Sequence, residues 1–370
     1  VRDQALRSPH IEETGMKRNA LMVALGFALV VGSGCNKGGK GDSDVRLNAG
    51  GSTFVGPMMQ KWKAVYHKES GVEIDYALKG SGNGITQMTA KTYHFGCTDA
   101  PMSPEQLDAA KEKGGEVVHI PLTMGAVVPI YNLPELKDEE PLNFTGEVLA
   151  DIYLGTIKEW NDDKIKAINP RIKSKLPGTK IVVVHRAEPS GTTFIWTDFL
   201  ANSSAAWRDK VGKKGAIKID WPLGIGKSGN PEVAAHVNKS PGAIGYVELI
   251  FALQKNISFG KVKNRMNKFI LADMANVSAA AKGAVTAADM PEDLCFNLTN
   301  KPGDDTYPIC GAVWAVLYRK QPKQTGKEVV KFLRWITHDG QKYCEEQHYA
   351  RLPEQLVKLI DKKLDTVEME

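Results

Sequence analysis

The sequence predicts an α/β protein of two domains built on open sheets. Three observations carry this. Short β-branched runs alternate with stretches of helical periodicity, the pattern of strand–helix–strand units. At 370 residues the chain exceeds what one compact core normally serves. Turns rich in Gly, Ser and Thr recur where strands end and helices begin, which is where open α/β sheets bind ligands.

The N-terminal residues stand outside this pattern. Met16-Lys17-Arg18 ahead of the apolar residues 20–31 forms a basic region and a short hydrophobic region, followed by Gly32-Ser33-Gly34-Cys35. This is an export signal, too short to cross a membrane as a helix. A cysteine directly after small residues resembles a bacterial lipobox, with Gly32 where that motif usually carries an aliphatic residue. The resemblance implies that Cys35 is the lipidated first residue of the mature chain; ordinary cleavage and a free soluble product is the alternative. Residues 1–15 precede any sensible signal, as expected of a start codon assigned too early, with Met16 the true start. Residues 36–44 read as a flexible tether, so residues 1–44 are upstream residues, signal and tether.

The first globular element is Arg46-Leu47-Asn48-Ala49, ending in Gly50-Gly51-Ser52-Thr53-Phe54. Phe54, Met58, Trp62, Val65 and Tyr66 then run at helical spacing until Gly71. Val72, Ile74 and Tyr76 alternate as a strand, followed by Lys79-Gly80-Ser81-Gly82-Asn83-Gly84 and a helical pattern from Ile85. The glycines make residues 80–84 too flexible for a helix interior but suited to wrapping backbone N–H groups around an anion. Phe95-Gly96-Cys97-Thr98 leads to a turn carrying Asp99, and Ser103-Pro104-Glu105 supplies the N-cap, first position and acidic first turn of the next helix.

Residues 121–131 are apolar, as expected of an extended segment leaving one lobe for another, and residues 307–318 suit the return crossing. Between them lie a helix and turn over 151–162, a helix over 194–207, a turn into a short strand over 241–247, and an Ala-rich helical stretch over 279–288. An amphipathic helix over 329–343 and a last helix to Leu364 complete the chain.

The most informative stretch is Val183-Val184-His185-Arg186-Ala187-Glu188-Pro189-Ser190-Gly191-Thr192-Thr193-Phe194. A strand over 181–184 ends in a turn, and helical periodicity starts at Phe194. Ser190-Gly191-Thr192 therefore stands at a helix start, where unpaired N–H groups and the macrodipole favour an anion. Ser and Thr add hydroxyl donors, Gly admits close approach, and Arg186 offers a planar fork of N–H groups. Taken alone, the stretch equally suits a plain N-cap at Ser190 with a surface Arg186–Glu188 pair. Three hydroxyl-rich or acidic turns at earlier strand ends favour the anion site, with phosphate the obvious candidate.

Other chemistry is thinly represented. The formal charge of +5 is spread along the chain, without the basic stripe of a nucleic-acid binder. The eight histidines are scattered and no Cys/His pair has metal spacing, which argues against a zinc site. Gly224-Ile225-Gly226-Lys227-Ser228-Gly229 imitates a nucleotide loop, but Trp221 stands where the phosphate loop needs Gly. Cys295 and Cys310 bracket a turn-rich segment and are the best disulfide candidate; closing such a loop contributes roughly 3 kcal/mol. Cys97 and Cys344 either pair or serve as small buried hydrophobes.

Read together, Gly50-Gly51-Ser52-Thr53-Phe54, Gly80-Ser81-Gly82, Phe95-Gly96-Cys97-Thr98-Asp99-Ala100-Pro101, Arg186-Ala187-Glu188-Pro189-Ser190-Gly191-Thr192 and Gly242-Ala243-Ile244-Gly245-Tyr246-Val247-Glu248 resemble, in that order, the extracytoplasmic phosphate-binding proteins that feed the bacterial phosphate ABC transporter. The likeness runs from about Leu47 to Pro353. It implies a type II periplasmic-binding-protein fold, two α/β lobes joined by two crossing segments with the ligand cleft between them. Residues 45–123 and 306–370 would form one lobe and residues 124–305 the other. The resemblance implies phosphate binding by Thr53, Phe54, Ser81 and Asp99 from the first lobe and Arg186, Ser190, Gly191 and Thr192 from the second. Glu188, where such proteins often carry Asp, would orient Arg186. Gly82-Asn83-Gly84 departs from the more Ser-rich loop of the family. It further implies a monomeric receptor in the periplasm or cell envelope, without cofactor or catalysis. Its partners would be inorganic phosphate and the permease subunits, and it would touch the membrane only through the anchor at Cys35.

The chemistry agrees. A desolvated phosphate needs a donor at each bare oxygen. Asp99 suits the ligand proton that both common phosphate ions carry and sulfate lacks at neutral pH. A site built to bond a ligand hydroxyl rejects an analogue without it by ~10⁴–10⁵. Arsenate carries the same proton and is the rival within the binding class. A secreted phosphatase or phosphotransferase is the rival from another class; against it, Ser190 lacks a paired base and no metal cluster is evident.

Overall fold

A computed structural model describes residues 45–284 and 290–370. Residues 1–44, expected to hold an export signal, Cys35 and a tether, lie outside the described residues, as do residues 285–288 of the Ala-rich stretch.

The chain begins with β1 (Arg46–Gly51), α1 (Gly56–Ser70), β2 (Glu73–Leu78), α2 (Ser81–Thr89), β3 (Phe95–Thr98) and α3 (Pro104–Gly114). β1 pairs in parallel with both β2 and β3. The carboxyl ends of all three strands therefore emerge along one edge, each followed there by a helix start. The ends of these helices follow local chemistry: α1 stops at left-handed Gly71, φ 77°, and α3 opens on a Ser103–Gln106 capping box.

Next come β4 (Val117–Tyr131), β5 (Asn143–Phe144), α4 (Gly146–Tyr153) and α5 (Asp163–Ile168). A second parallel set follows: β6 (Val182–Arg186), α6 (Gly191–Ser203), α7 (Ala205–Lys210), β7 (Ile225–Lys227), α8 (Gly229–Lys239), β8 (Ala243–Glu248) and α9 (Leu249–Gln254). β6 lies between β7 and β8 and is parallel to both. β9 (Lys261–Lys263) and β10 (Phe269–Ile270) join β5 in a small sheet, and α10 (Met274–Ala284) precedes the long β11 (Cys310–Tyr318). β12 (Lys320–Gln321), α11 (Lys323–Thr337), α12 (Glu354–Leu364) and β13 (Glu368–Met369) end the chain.

The main sheet has eight strands in the order β2-β1-β3-β11-β4-β8-β6-β7. Its two parallel flanks meet at the antiparallel pair β4–β11. β4 changes partner along its length, pairing with β11 over residues 117–126 and with β8 over 127–131. These two strands are the crossings expected from the apolar runs. They are buried on both faces, so they read as continuous hydrophobic stretches without alternation. The result is the type II periplasmic-binding-protein architecture. No described helix is long and apolar enough to cross a membrane.

Four expectations need correction. α2 starts at Ser81, not Ile85. Its glycines serve close packing: a Cβ on Gly84 would lie 2.6 Å from the Cys97 carbonyl and 2.9 Å from that of Gly50. The single helix over 194–207 is α6 and α7, divided at extended Ser204, which caps the second by accepting from Trp207 N–H. The helix over 329–343 runs earlier, as α11, and gives way after Thr337 to a 3-10 turn over Asp339–Tyr343. The disulfide between Cys295 and Cys310 is not made. Both thiols are free, as are Cys97 and Cys344. Cys310 starts the buried β11 and turns its thiol to the Tyr307 carbonyl at 3.2 Å, whereas Cys295 faces the carbonyl of Asp293 at 3.7 Å.

Candidate functional site

The carboxyl ends of strands from both flanks converge, and they bring the expected residues together. From the first flank come Ser52, Thr53 and Phe54 after β1, Ser81 at the start of α2, and Asp99 after β3. From the second come Arg186 at the end of β6 and Ser190, Gly191 and Thr192 at the start of α6. All are buried; Asp99 is 2% exposed and Arg186 3%.

The two flanks touch directly here. Gly82 N–H donates to the Pro189 carbonyl at 3.1 Å, and Thr192 Oγ1 donates to Asp99 Oδ2 at 3.4 Å. Gly191 has no room for a side chain, because a Cβ would lie 2.5 Å from that of Asp99. Asp99 is further held by the Ser52 hydroxyl, which donates to Oδ1, while its own N–H donates to Ser81 Oγ at 3.2 Å. Burial pushes the Asp99 carboxyl up to about 6, against the opposing pull of Ser52, Arg186, Ser81 and Thr192.

Arg186 is held by Glu188. Its Nε donates to Glu188 Oε1 at 3.0 Å and its Nη2 to the same oxygen, which also accepts the Gly229 N–H at 2.9 Å. Behind the arginine, Tyr246 Oη accepts the Arg186 N–H at 3.2 Å and meets Thr193 Oγ1 at 2.7 Å. His185 points away, as strand alternation requires, and its ring stacks on Trp221 at 4.7 Å.

Three hydroxyls share one arrangement, an N–H group in an acceptor position, whereas those of Ser52 and Thr192 donate to Asp99. Ser190 Oγ accepts from Thr193 N–H at 3.2 Å, the N-cap of α6. Ser81 Oγ accepts from Asp99. Thr53 Oγ1 accepts from Asn230 Nδ2 at 3.1 Å and from Asn230 N–H at 3.3 Å. A hydroxyl has one proton and two lone pairs. With an acceptor position engaged, the proton of each of these three stays available to donate, and the α2 and α6 starts add unpaired N–H groups. Such a centre offers donors, one guanidinium and one carboxylate to a small oxyanion.

Asn230 is the residue that sequence reasoning missed. It is fully buried, and its Nδ2 also reaches Thr192 Oγ1 at 3.3 Å. It follows the glycine-rich segment weighed above only as a nucleotide loop. That segment is instead another strand end and helix start, β7 into α8. The usable signal was Ser228 followed by Pro231 and Glu232, an ordinary helix beginning. No described group of three or more His, Cys, Asp or Glu is placed to hold a metal ion.

Two parallel-sheet flanks joined by paired crossing strands, with their strand ends closing on one polar centre, define a two-lobed periplasmic-type binding protein. Residues 38–339 match the PBP superfamily domain. The chain is 38% identical to the phosphate-binding protein PstS of Xylella fastidiosa strain 9a5c, over 86% of this chain and 84% of that one. It is 36% identical to PstS of Pasteurella multocida, over 86% and 90%. Among solved structures it resembles a putative phosphate ABC transporter substrate-binding protein of Clostridium perfringens with bound phosphate. That match has a TM-score of 0.60 and 18% identity, covering 83% of this chain and 100% of the other. The chain belongs to the PstS family of phosphate-binding proteins.

Proposed function

We propose that this protein captures inorganic phosphate outside the cytoplasm, in the cleft between its two lobes, and delivers it to an ABC-type phosphate importer. Thr53, Phe54, Ser81 and Asp99 bind the ion from one lobe, and Arg186, Ser190, Gly191 and Thr192 from the other. Glu188 orients Arg186. The observation that carries this reading is the convergence of the Thr53, Ser81 and Ser190 hydroxyls, each accepting from an N–H group, around one arginine and one aspartate. Their protons, the arginine and the helix-start N–H groups serve the bare oxygens, and Asp99 accepts the proton that phosphate brings.

Residues 45–123 and 306–370 form one lobe and residues 124–305 the other, with β4 and β11 as the hinge. Closure buries the ion and presents both lobes to the membrane permease subunits. The protein acts as a monomer, anchored in the cell envelope through a lipid on Cys35, and it performs no catalysis. Ser190 supports the last point, because its oxygen serves the α6 cap, and His185, which adjoins Arg186 in sequence, is turned onto Trp221.

The test is a calorimetric titration of ligand-stripped protein, starting after Cys35, with phosphate and then with excess sulfate. Saturable one-to-one binding of phosphate, undisturbed by sulfate and lost in Arg186→Ala, is expected. Absence of phosphate binding by stripped, folded protein would sink the assignment.

A further inference from the structure

At the sheet crossing lies a carboxyl group that the anion site does not touch. Glu248 ends β8, is fully buried, and is the register partner of Val127 where β4 changes from β11 to β8. Its Oε2 accepts the Ile250 N–H at 2.9 Å and caps α9. Its Oε1 is buried without a hydrogen-bond partner, beside Gly125, whose Cβ would lie 3.3 Å away. A neutral carbonyl tolerates that position far better than a carboxylate oxygen.

Two arms lead from Glu248 to the site. Its N–H donates to Asn230 Oδ1 at 3.0 Å, and Asn230 Nδ2 holds Thr53 and Thr192. Its Oε2 lies 3.3 Å from the hydroxyl of buried Tyr349, and that hydroxyl contacts the Phe54 carbonyl at 2.6 Å. A proton count decides the character of the second arm. Three oxygens in a row (Phe54 O, Tyr349 Oη and Glu248 Oε2) make two contacts and need two protons. Tyrosine supplies one, and the short contact to a carbonyl, which has none, requires it there. The remaining contact takes its proton from Glu248. Burial also pushes this carboxyl well above its ordinary value. The titratable groups facing it are Tyr349 and Asp99, with Cys344 beyond the tyrosine.

We propose that Glu248 is a positioning residue of the anion site: a neutral carboxylic acid at the hinge whose hydroxyl sets Tyr349 against the Phe54 turn while its backbone N–H sets Asn230 against Thr53 and Thr192. It thereby ties the partner change of β4 to ligand groups on both lobes. The inference rests on the phosphate reading above.

Calorimetric titration with inorganic phosphate tests it on the ligand-stripped wild type, Glu248→Gln, Glu248→Leu and Tyr349→Phe, each checked for folding by circular dichroism. Tyr349→Phe and Glu248→Leu are expected to weaken binding about tenfold each. The double variant is expected to be no weaker than the worse single one, because both break one chain of contacts. Glu248→Gln keeps neutrality but cannot both accept from Ile250 and donate to Tyr349 through one atom, so its loss is smaller. Infrared spectra at pH 8 are expected to show a protonated-carboxyl band that Glu248→Gln lacks, a result that does not depend on the leucine variant folding. Wild-type binding with all variants unchanged, or no such band, would overturn the proposal. Failure of the wild type to bind phosphate would instead overturn the functional reading.

Discussion

If Asp99 rejects sulfate because an ionised carboxylate faces a ligand without a proton, rejection must fade as Asp99 protonates. The Asp99 carboxyl stands at about 6. Sulfate binding would then require the protonated form, so its apparent affinity falls tenfold, about 1.4 kcal/mol, for each pH unit above that value. Between pH 5 and pH 7.5 the expected weakening is about thirtyfold. Asp99→Asn carries a permanent N–H donor at this position and is expected to bind sulfate with little dependence on pH. The assay is sulfate titration of stripped wild type and Asp99→Asn from pH 5 to 8, with phosphate as reference. A wild type that rejects sulfate equally at pH 5, or an asparagine variant that still rejects it, would refute the reasoning.

Other consequences can be checked on the same preparations. Because the Asp99 carboxyl is raised, the folded protein holds a proton that the unfolded chain gives up between about pH 4 and 6. The stripped wild type should gain stability as pH falls through 6, by up to about 3 kcal/mol relative to Asp99→Asn, measured by chemical denaturation across that range. Asn230→Ala removes the Nδ2 group that engages Thr53 and Thr192 and should weaken phosphate binding about tenfold, the worth of one or two buried hydrogen bonds. Asn230→Asp draws the Thr53 hydroxyl proton away from the ligand and adds negative charge, so a much larger calorimetric loss is expected; equal effects would contradict the donor arrangement. Gly84→Ala forces a methyl against the Cys97 and Gly50 carbonyls and should cost about 1–3 kcal/mol by urea denaturation. With the cysteines free, the thermal midpoint should not move on adding reductant; a drop of several degrees would restore the Cys295–Cys310 bridge.

The sequence by itself determined what depends on local chemistry and on period. Strand and helix starts around Thr53, Asp99 and Ser190 were legible because caps, glycines and hydroxyls act within a few residues of themselves. The crossings β4 and β11 were legible because strands buried on both faces are apolar throughout. Which turns meet was not legible from spacing; for eight residues it came through the ordered resemblance. Tertiary structure alone decided the rest. The glycines after Ser81 belong to a helix because Cys97 and Gly50 press against them from two strands. Cys295 and Cys310 bracket a loop, yet their thiols turn to separate carbonyls. Asn230 and Glu248 join the site through partners far away in the chain, at Thr53 and Tyr349. Local sequence sets which conformation a segment prefers, whereas a proton shared among buried groups depends on which distant atoms the closed sheet brings within hydrogen-bond reach.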